Sequence, residues 1–332
     1  RGRGPVVEVG MTELAMSQGE GQALLEGAGS GLSDPEATEL VERTEGWPVG
    51  LYLAALARKA GGRPANAEFA FTGDDRFLAD YLDAELLAHL PPERVTFLTR
   101  TAVLERMCGP LCDAILATSG SDRVLAQLED SNLLLVPLDR RRQWYRYHQL
   151  FRELLLADLA RREPGLVAEL HTRAATWYEA NGLPEEAIDH AQAAGDTDRV
   201  ARLVATRAQP AYAGGRVDTA RRWFEWFEEQ GLVKRYPPVA VLGAWLQALV
   251  GRPAAAERWA DAAEHPVATA EAASGTQTPP DGSTMDSYLA MLRGLLCHGG
   301  VGRMRADADA ALAGLSPASQ WRPTALLLKG VA

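Results

Sequence analysis

The stretch that most constrains this chain runs from residue 132 to residue 159, NLLLVPLDRRRQWYRYHQLFRELLLADL. An apolar run, Leu133 to Leu138, meets a charged turn, Asp139 to Arg142, and then an aromatic run, Gln143 to Tyr147. Runs this short, separated by a polar turn and with one of them rich in aromatics, suit strands better than helices. From His148 onward the apolar residues recur at helical spacing instead. Two short strands around a charged turn, placed after three or four helical patterns, predict the wing of a winged-helix domain. The segment Leu170 to Asp196, LHTRAATWYEANGLPEEAIDHAQAAGD, then reads as helix, Gly-Leu-Pro turn and helix, the grammar of a helical repeat. The fold expected is mainly α, a winged-helix domain with a small β-hairpin feeding a tetratricopeptide-like α-superhelix.

Four zones follow from the placement of breakers. Residues 1 to about 62 open with a short strand-like piece, Pro5 to Val9, and continue with helical segments at Thr12–Met16, Glu20–Gly27 and Pro35–Gly61. Residues 73 to about 162 form the winged helix, with helices expected near Arg76–His89, Pro92–Thr101, Pro110–Thr118 and Asp122–Asp130. Pro91, Gly109-Pro110 and Ser119-Gly120-Ser121 separate them, since proline suits a first helical turn and glycine a stop. Residues 164 to 332 carry the helical pairs, interrupted by a segment at 265–285 that is rich in Ala, Thr, Gly, Ser and Pro and reads as a mobile loop.

The repeat reading rests on packing. Leu170, Ala174, Trp177 and Tyr178 share one helix face at i, i+4, i+7 and i+8, and Ala187, Ile188 and Ala191 answer from the next helix. Trp223, Phe224 and Phe227, then Val241, Trp245 and Leu249, then Tyr288, Leu292 and Leu295 repeat the idea. One pair has too little core to stand alone, so the pairs stack and expose an extended surface. Trp223, Trp226, Trp245 and Trp259 are either core between repeats or rings on which a sugar could stack.

Composition excludes more than it assigns. The formal charge of −10 argues against non-specific nucleic-acid binding by the chain as a whole, because phosphate contacts need clustered Lys and Arg. No signal peptide or bilayer-length apolar run is present. Three cysteines are too few for a disulfide framework, which favours a reducing cytoplasm. Cys108 and Cys112 lie four apart with no Cys-Cys-His set to follow, so they read as buried thiols rather than a zinc site. The carboxylate pairs Glu185-Glu186 and Glu228-Glu229 fall on solvated helix faces without a nucleophile or His beside them. The chain has no Walker A pattern and no hydrolase or metalloprotease motif. It opens at Arg1 rather than Met and stops at LLLKGVA within a helical pattern, as a segment of a longer protein or a truncated gene product would.

Four motifs in order, TEGWPVGLYLAAL (Thr44–Leu56), FLADYLDAELLAHLP (Phe77–Pro91), LEDSNLLLVPLDRRRQWYRYHQLFRELL (Leu128–Leu155) and the Leu170–Asp196 segment, resemble the MalT-like regulators of the LuxR family, which are signal-transducing ATPases with numerous domains. The resemblance implies that residues 1–62 are the end of a nucleotide-binding domain with its helical lid, 73–162 the winged helix, and 164–332 the sensor repeats. Such proteins are ATP-dependent transcription activators. Inducer on the superhelix and ATP in the nucleotide domain together promote multimerisation, which presents a C-terminal helix-turn-helix to promoter DNA. Without Walker elements and that helix-turn-helix, the chain is expected to be neither an ATPase nor a DNA binder, and to hold neither ATP nor ADP tightly by itself. Its expected role is the switch and sensor segment, with an inducer or regulatory protein on the repeats. The alternative is a free-standing tetratricopeptide-like interaction module.

By the same resemblance, three residues touch nucleotide in the intact parent. Gly46 and Pro48 match the lid's Gly-x-Pro element, whose proline packs on adenine, and a proline ring offers an apolar face with little entropy to lose. His148 matches the winged-helix histidine that reaches the β-phosphate of ADP and holds a closed, resting state. Read from the residues alone, Gly46-Trp47-Pro48 starts the helix Val49–Ala60, and His148 is a cap or core contact at a strand–helix junction. Arg140-Arg141-Arg142 suits phosphate, but the helix Asp122–Asp130 offers only Arg123 for base contacts and is acidic at both ends.

Overall fold

The computed structural model describes residues 14–60, 76–131, 134–266, 279, 281–297 and 299–332. The strand-like Pro5–Val9, the first two residues of Thr12–Met16 and most of the 265–285 segment lie outside them. The chain forms two compact units, Arg1–Asn181 and Gly182–Ala332. Among the described residues there are seventeen α-helices and one two-stranded antiparallel sheet, so the fold is mainly α.

The first unit begins with three short helices, α1 (Gln18–Gly27), α2 (Asp34–Arg43) and α3 (Pro48–Ala60). Capping boxes start the first two: Ser17 pairs with Glu20 and Ser33 with Glu36, each glutamate accepting the cap's own N–H at 2.9 and 2.8 Å. The helical segment Pro35–Gly61 is divided at Glu45 and Gly46, both at positive φ. Leu25, Leu40, Val41, Leu51 and Ala54 are fully buried between the three helices. Helix α4 (Arg76–Glu85) packs on α3 through Leu78 and Leu82, and a 3₁₀ turn, Leu87–His89, takes the last residues of the expected Arg76–His89 helix.

The winged helix comprises α5 (Pro92–Thr101), α6 (Gly109–Leu116), α7 (Ser121–Asp130), β1 (Leu135–Pro137), β2 (Tyr145–Tyr147) and α8 (Gln149–Arg162). The strands pair antiparallel, Leu135 with Tyr147, Val136 with Arg146 and Pro137 with Tyr145. Alternation sends Tyr145 and Tyr147 into the core and leaves Arg146 on the opposite face. The Tyr147 hydroxyl lies 2.6 Å from Thr101 Oγ1, and burial pushes its pKa far up. The turn between the strands is shaped by Asp139, whose carboxylate accepts the backbone N–H groups of Arg141, Gln143 and Trp144. A further bridge, Met107 with Tyr145, extends the sheet and was not visible in the sequence pattern.

The compact units divide at Asn181 and Gly182. Helix α9 (Pro164–Ala180), taken in the sequence as the first repeat helix, turns the face of Leu170, Ala174 and Tyr178 into the first unit. Arg173 donates to the Ile115 carbonyl at 2.8 Å, Tyr178 to that of Arg106 at 3.3 Å, and Trp177 meets Trp144 edge-on at 6.4 Å. These bonds satisfy carbonyls at the end of α6 and in the loop before it.

The second unit contains α10 (Pro184–Ala194), α11 (Thr197–Ala213), α12 (Val217–Glu229), α13 (Pro237–Leu249), α14 (Pro253–Glu264), α15 (Met285–Leu296), α16 (Gly300–Gly314) and α17 (Arg322–Val331). Helices α11, α13, α15 and α17 pack on one another in a row, and α12, α14 and α16 pair with the first three of them. This is a tetratricopeptide-like stack in which each pair buries its face on the next. Proline at or next to the first helical position starts α10, α13, α14 and α17. Part of the expected mobile loop is instead anchored. Ser283 is buried and accepts the Ser316 N–H at 3.0 Å, while Thr284 caps α15 and gives its own N–H to the Gly314 carbonyl at 3.1 Å.

Trp223 and Trp259 are buried and Trp245 is half-buried against Trp321, so these three serve the stack, while Trp226 is half-buried beside Phe227 of its own helix. Trp259 meets Phe224 edge-on at 5.6 Å and donates Nε1–H to Glu228 at 2.6 Å. Its ring lies so close over Gly243 that a Cβ there would stand 2.2 Å from it. Glycine to alanine inside a helix ordinarily stabilises by about 1 kcal/mol. Gly243→Ala should do the reverse, costing about 1–3 kcal/mol by overpacking. Urea denaturation of the variant checks this, and a gain in stability would contradict the packing described.

Candidate functional site

The three sequence-derived candidates converge where the turn between α2 and α3 meets the winged helix. Helix α2 ends with Thr44, after which Glu45 and Gly46 take φ of 50° and 70°. The Gly46 N–H returns to the Val41 carbonyl at 3.0 Å, closing the helix end. Gly46 also approaches the backbone at Met16, accepting its N–H at 2.8 Å, and a Cβ would stand 2.4 Å from the Met16 carbonyl oxygen. Glycine is therefore required here twice over, by its φ and by the contact. Pro48 is the first residue of α3, as the structural reading of Gly-Trp-Pro predicts.

His148 caps α8, accepting the Arg152 N–H at 2.9 Å through its carbonyl, and its side chain is fully buried. Its Nε2 lies 2.9 Å from the carbonyl oxygen of Thr44, which also accepts the Trp47 N–H at 2.9 Å. A carbonyl only accepts, so Nε2 carries the proton and the neutral ring keeps Nδ1 as a lone-pair nitrogen. Among the described residues that Nδ1 is buried and has no hydrogen-bond partner. Trp47 covers the ring edge-on with centroids 5.6 Å apart, and Tyr81 stands 6.2 Å from Trp47 on another side.

A charged clasp surrounds this contact. Arg146, on the outer face of β2, grips Glu45 with two parallel bonds of 2.7 and 2.6 Å. The same carboxylate accepts the Gln149 N–H at 3.1 Å, at the start of α8, and Arg43 pairs with Glu153 at 3.3 Å. Burial opposes ionisation of Glu45, but the bonds from Arg146, the nearby His148 and the Gln149 amide together hold its carboxyl below the usual range. Burial is also the largest influence on His148 and depresses it below the ordinary histidine value, against the pull of Glu45 and the Thr44 carbonyl. The arrangement ties the turn between α2 and α3 to the wing and to α8. It contains no nucleophile–base pair, and no group of residues able to hold a metal ion exists among the described residues.

Glu45, Arg146 and the Thr44 carbonyl were not legible as site residues in the sequence. Arg146 alone left a trace, as the one charge between two tyrosines of an aromatic strand. The other candidates stay apart from this site. Cys108 and Cys112 are buried thiols, pushed up by desolvation. The wing arginines point elsewhere, with Arg142 bound to Glu129 of α7 at 3.3 Å, and α7 exposes Asp122, Arg123, Ala126, Gln127 and Asp130, a poor surface for reading bases. No helix among the described residues is long and apolar enough to cross a membrane.

Fold and site together define a winged helix clasped to the N-terminal helices and followed by tetratricopeptide-like repeats. Residues 83–167 match the family described as the MalT winged helix domain. Over 249 residues the chain is 27% identical to the HTH-type transcriptional regulator MalT of Vibrio campbellii, and over 253 residues 29% identical to that of Yersinia pestis, spanning 74% of this chain and 28% of each relative. Over 201 residues it is 36% identical to the serine/threonine-protein kinase PknK of Mycobacterium tuberculosis, which covers 60% of this chain and 18% of the kinase. A signal transduction ATPase with numerous domains that carries a tetratricopeptide repeat sensor, from Pyrococcus horikoshii, superimposes with a TM-score of 0.50 at 15% identity, over 90% of this chain and 41% of its own. That likeness concerns the fold alone. The chain is thus similar to the MalT-like regulators, as its motifs imply, and it spans under a third of the length of the curated relatives it matches.

Two outcomes test the clasp. Arg146→Gln should lower the stability of the first unit by about 1–2 kcal/mol, between the values for exposed pairs and for buried charged hydrogen bonds. A double-mutant cycle with Glu45→Gln should show that most of this is shared, and additive losses would dissolve the pair. For His148, a folded pKa below the unfolded one makes stability complete above about pH 6.5 and lost as pH falls below it toward the folded value. Between about pH 7.5 and about pH 5.5 the wild type should therefore lose more urea resistance than His148→Gln, which keeps a donor for Thr44. His171, likewise depressed by burial, is common to both proteins. Equal losses would remove His148 from the acid response.

Proposed function

We propose that this chain is the switch and sensor segment of a MalT-like, ATP-dependent regulator acting in the cytoplasm. The observation that carries this reading is the clasp: the lid turn that holds Gly46 and Pro48 is bound to the winged helix through Thr44–His148 and Glu45–Arg146. A joint made of one buried hydrogen bond and one bidentate ion pair can be broken by a few kcal/mol of differential binding, the size of change that two-state switches use. An inducer or regulatory protein on the repeats would supply that bias, and self-association and promoter binding would belong to the intact parent. Gly46 and Pro48 would face the adenine side of ATP or ADP there.

The histidine geometry adds a condition. With Nε2–H given to Thr44, the neutral His148 ring offers a phosphate only an acceptor nitrogen. A β-phosphate contact at Nδ1 therefore needs the imidazolium, and bound ADP should raise the His148 pKa. In the intact parent, His148→Ala should weaken ADP and raise basal activity. Unchanged ADP affinity in that variant, with the protein still folded, would withdraw the assignment of His148 to nucleotide.

A second reading rests on the higher identity to the mycobacterial kinase, 36% against 27–29% to the MalT proteins. In it the same segment regulates a kinase rather than a promoter-binding domain, and the clasp keeps its role. The two differ in the domain the parent carries, which the coding sequence on either side of this segment decides.

A further inference from the structure

The second unit carries a cavity of about 560 Å³ lined by α14, α15 and α16. Acidic side chains predominate on its wall. Glu257, Asp261 and Glu264 lie on one face of α14 at i, i+4 and i+7, and Asp307 joins them from α16. Like charges at i, i+4 destabilise a helix, so this row does nothing for α14 itself. Arg293 of α15 and Arg303 of α16 also line the cavity, and four carboxylates against two guanidinium groups leave a net charge of −2. Two further basic groups lie nearby: Arg258 gives its Nη1–H to the Ala254 carbonyl of its own helix at 3.2 Å, and His265 Nδ1 stands 3.1 Å from Asp261 as an exposed pair.

Asp307 is what makes this more than an acidic surface. It is 7% exposed, yet it accepts no hydrogen bond among the described residues. Its oxygens stand 3.6 Å from Arg293 Nε and 3.9 Å from Arg303 Nε, both beyond hydrogen-bond reach. Arg293 gives Nη1–H to Glu264 at 3.1 Å instead, and Arg303 is largely exposed. A buried carboxylate without donors is costly, and such groups are nearly always paired. Neither oxygen of Asp307 is sealed off, so the carboxylate opens on the cavity that it lines. Beside it the lining turns apolar, with Leu292 buried and Leu296 and Ala260 half-buried. An ammonium group brings three donors and a compact charge, which is what Asp307 lacks. One such group would leave the wall acidic, whereas two balance it, and the volume lies in the range of small-molecule sites.

We infer that this cavity binds a small aliphatic diamine, one ammonium group donating to Asp307, the other to Asp261, and the methylene chain lying against Leu292 and Leu296. A ligand so placed would tie α14 to α16 and stiffen two neighbouring helical pairs. The inference deepens the sensor reading by naming a class of inducer, but the site itself is tested by binding to this chain alone. Loss of the site leaves the clasp untouched, and failure of the clasp leaves diamine binding untouched, so the two readings fail separately.

Calorimetric titration of the full 332-residue chain with putrescine and with butylamine, at fixed ionic strength, tests it. Putrescine should saturate one site and bind roughly tenfold or more tightly than butylamine, which offers a single ammonium group. Asp307→Asn should weaken putrescine roughly tenfold or more, as loss of a charged hydrogen bond does. Asp83→Asn, an exposed carboxylate of the first unit, removes the same charge and should leave binding unchanged. Circular dichroism verifies folding, and Asp261→Asn, at a largely exposed position, decides the matter if Asp307→Asn unfolds. Absence of a saturable site, equal affinity for the two amines, equal losses in Asp307→Asn and Asp83→Asn, or undiminished binding in Asp261→Asn would each overturn the proposal.

Discussion

The last carbonyls of an α-helix have no donors within the helix, and burying such an end is costly unless something else supplies them. At the end of α2 the Thr44 carbonyl takes two, from Trp47 N–H and from His148 Nε2–H. The rest of the first unit is arranged around that second bond. Gly46 sets the turn, Trp47 closes over the imidazole, and Arg146 and the start of α8 fix Glu45 alongside. Because the bond joins residues about a hundred positions apart, it converts a local helix end into a tertiary joint. Low dielectric at the buried ring strengthens it and also makes protonation there unfavourable.

The second unit uses a different economy. Its helices are held by shape, with aromatic rings set against small residues so that neighbouring helices come close. Trp259 against Gly243 is the tightest instance, and Trp245 against Trp321 links α13 to the residues that begin α17. Polar bonds act at the joints instead. Tyr236 donates to Asp198 at 2.6 Å and lies 2.7 Å from the Thr197 hydroxyl, pinning the loop before α13 to the start of α11. The unit is thus tolerant on its outer helix faces and intolerant wherever a small residue receives a ring.

Much of this was legible in the sequence because it is encoded locally. Pro92, Gly109-Pro110 and Pro184 mark helix starts for reasons of backbone geometry that no tertiary contact overrides, and the wing follows from two short runs around Asp139. The repeat grammar was readable from spacing, but spacing does not say which partner a face meets. The stripe Leu170, Ala174, Tyr178 serves a repeat pair or a winged helix equally well, and it docks in the first unit. The clasp was hidden for a related reason. Glu45 sits in a left-handed conformation that its residue type does not advertise, and its partner Arg146 lies 101 positions away. Of the site, Gly46, Pro48 and His148 could be named only through resemblance to a family, and their burial and bonding only through the fold.

The wing hairpin has three residue pairs, and its register is held by the Asp139 turn, the Met107–Tyr145 bridge and the two buried tyrosines. A slip by one would drive Arg146 toward the core, turn Tyr145 and Tyr147 to the outside and leave Glu45 without its grip. Only the native pairing places a guanidinium where the Glu45 carboxylate meets it. Docking of the Glu45 turn therefore reports on the hairpin, and a chain folded with its strands misaligned would announce the error by leaving that turn loose.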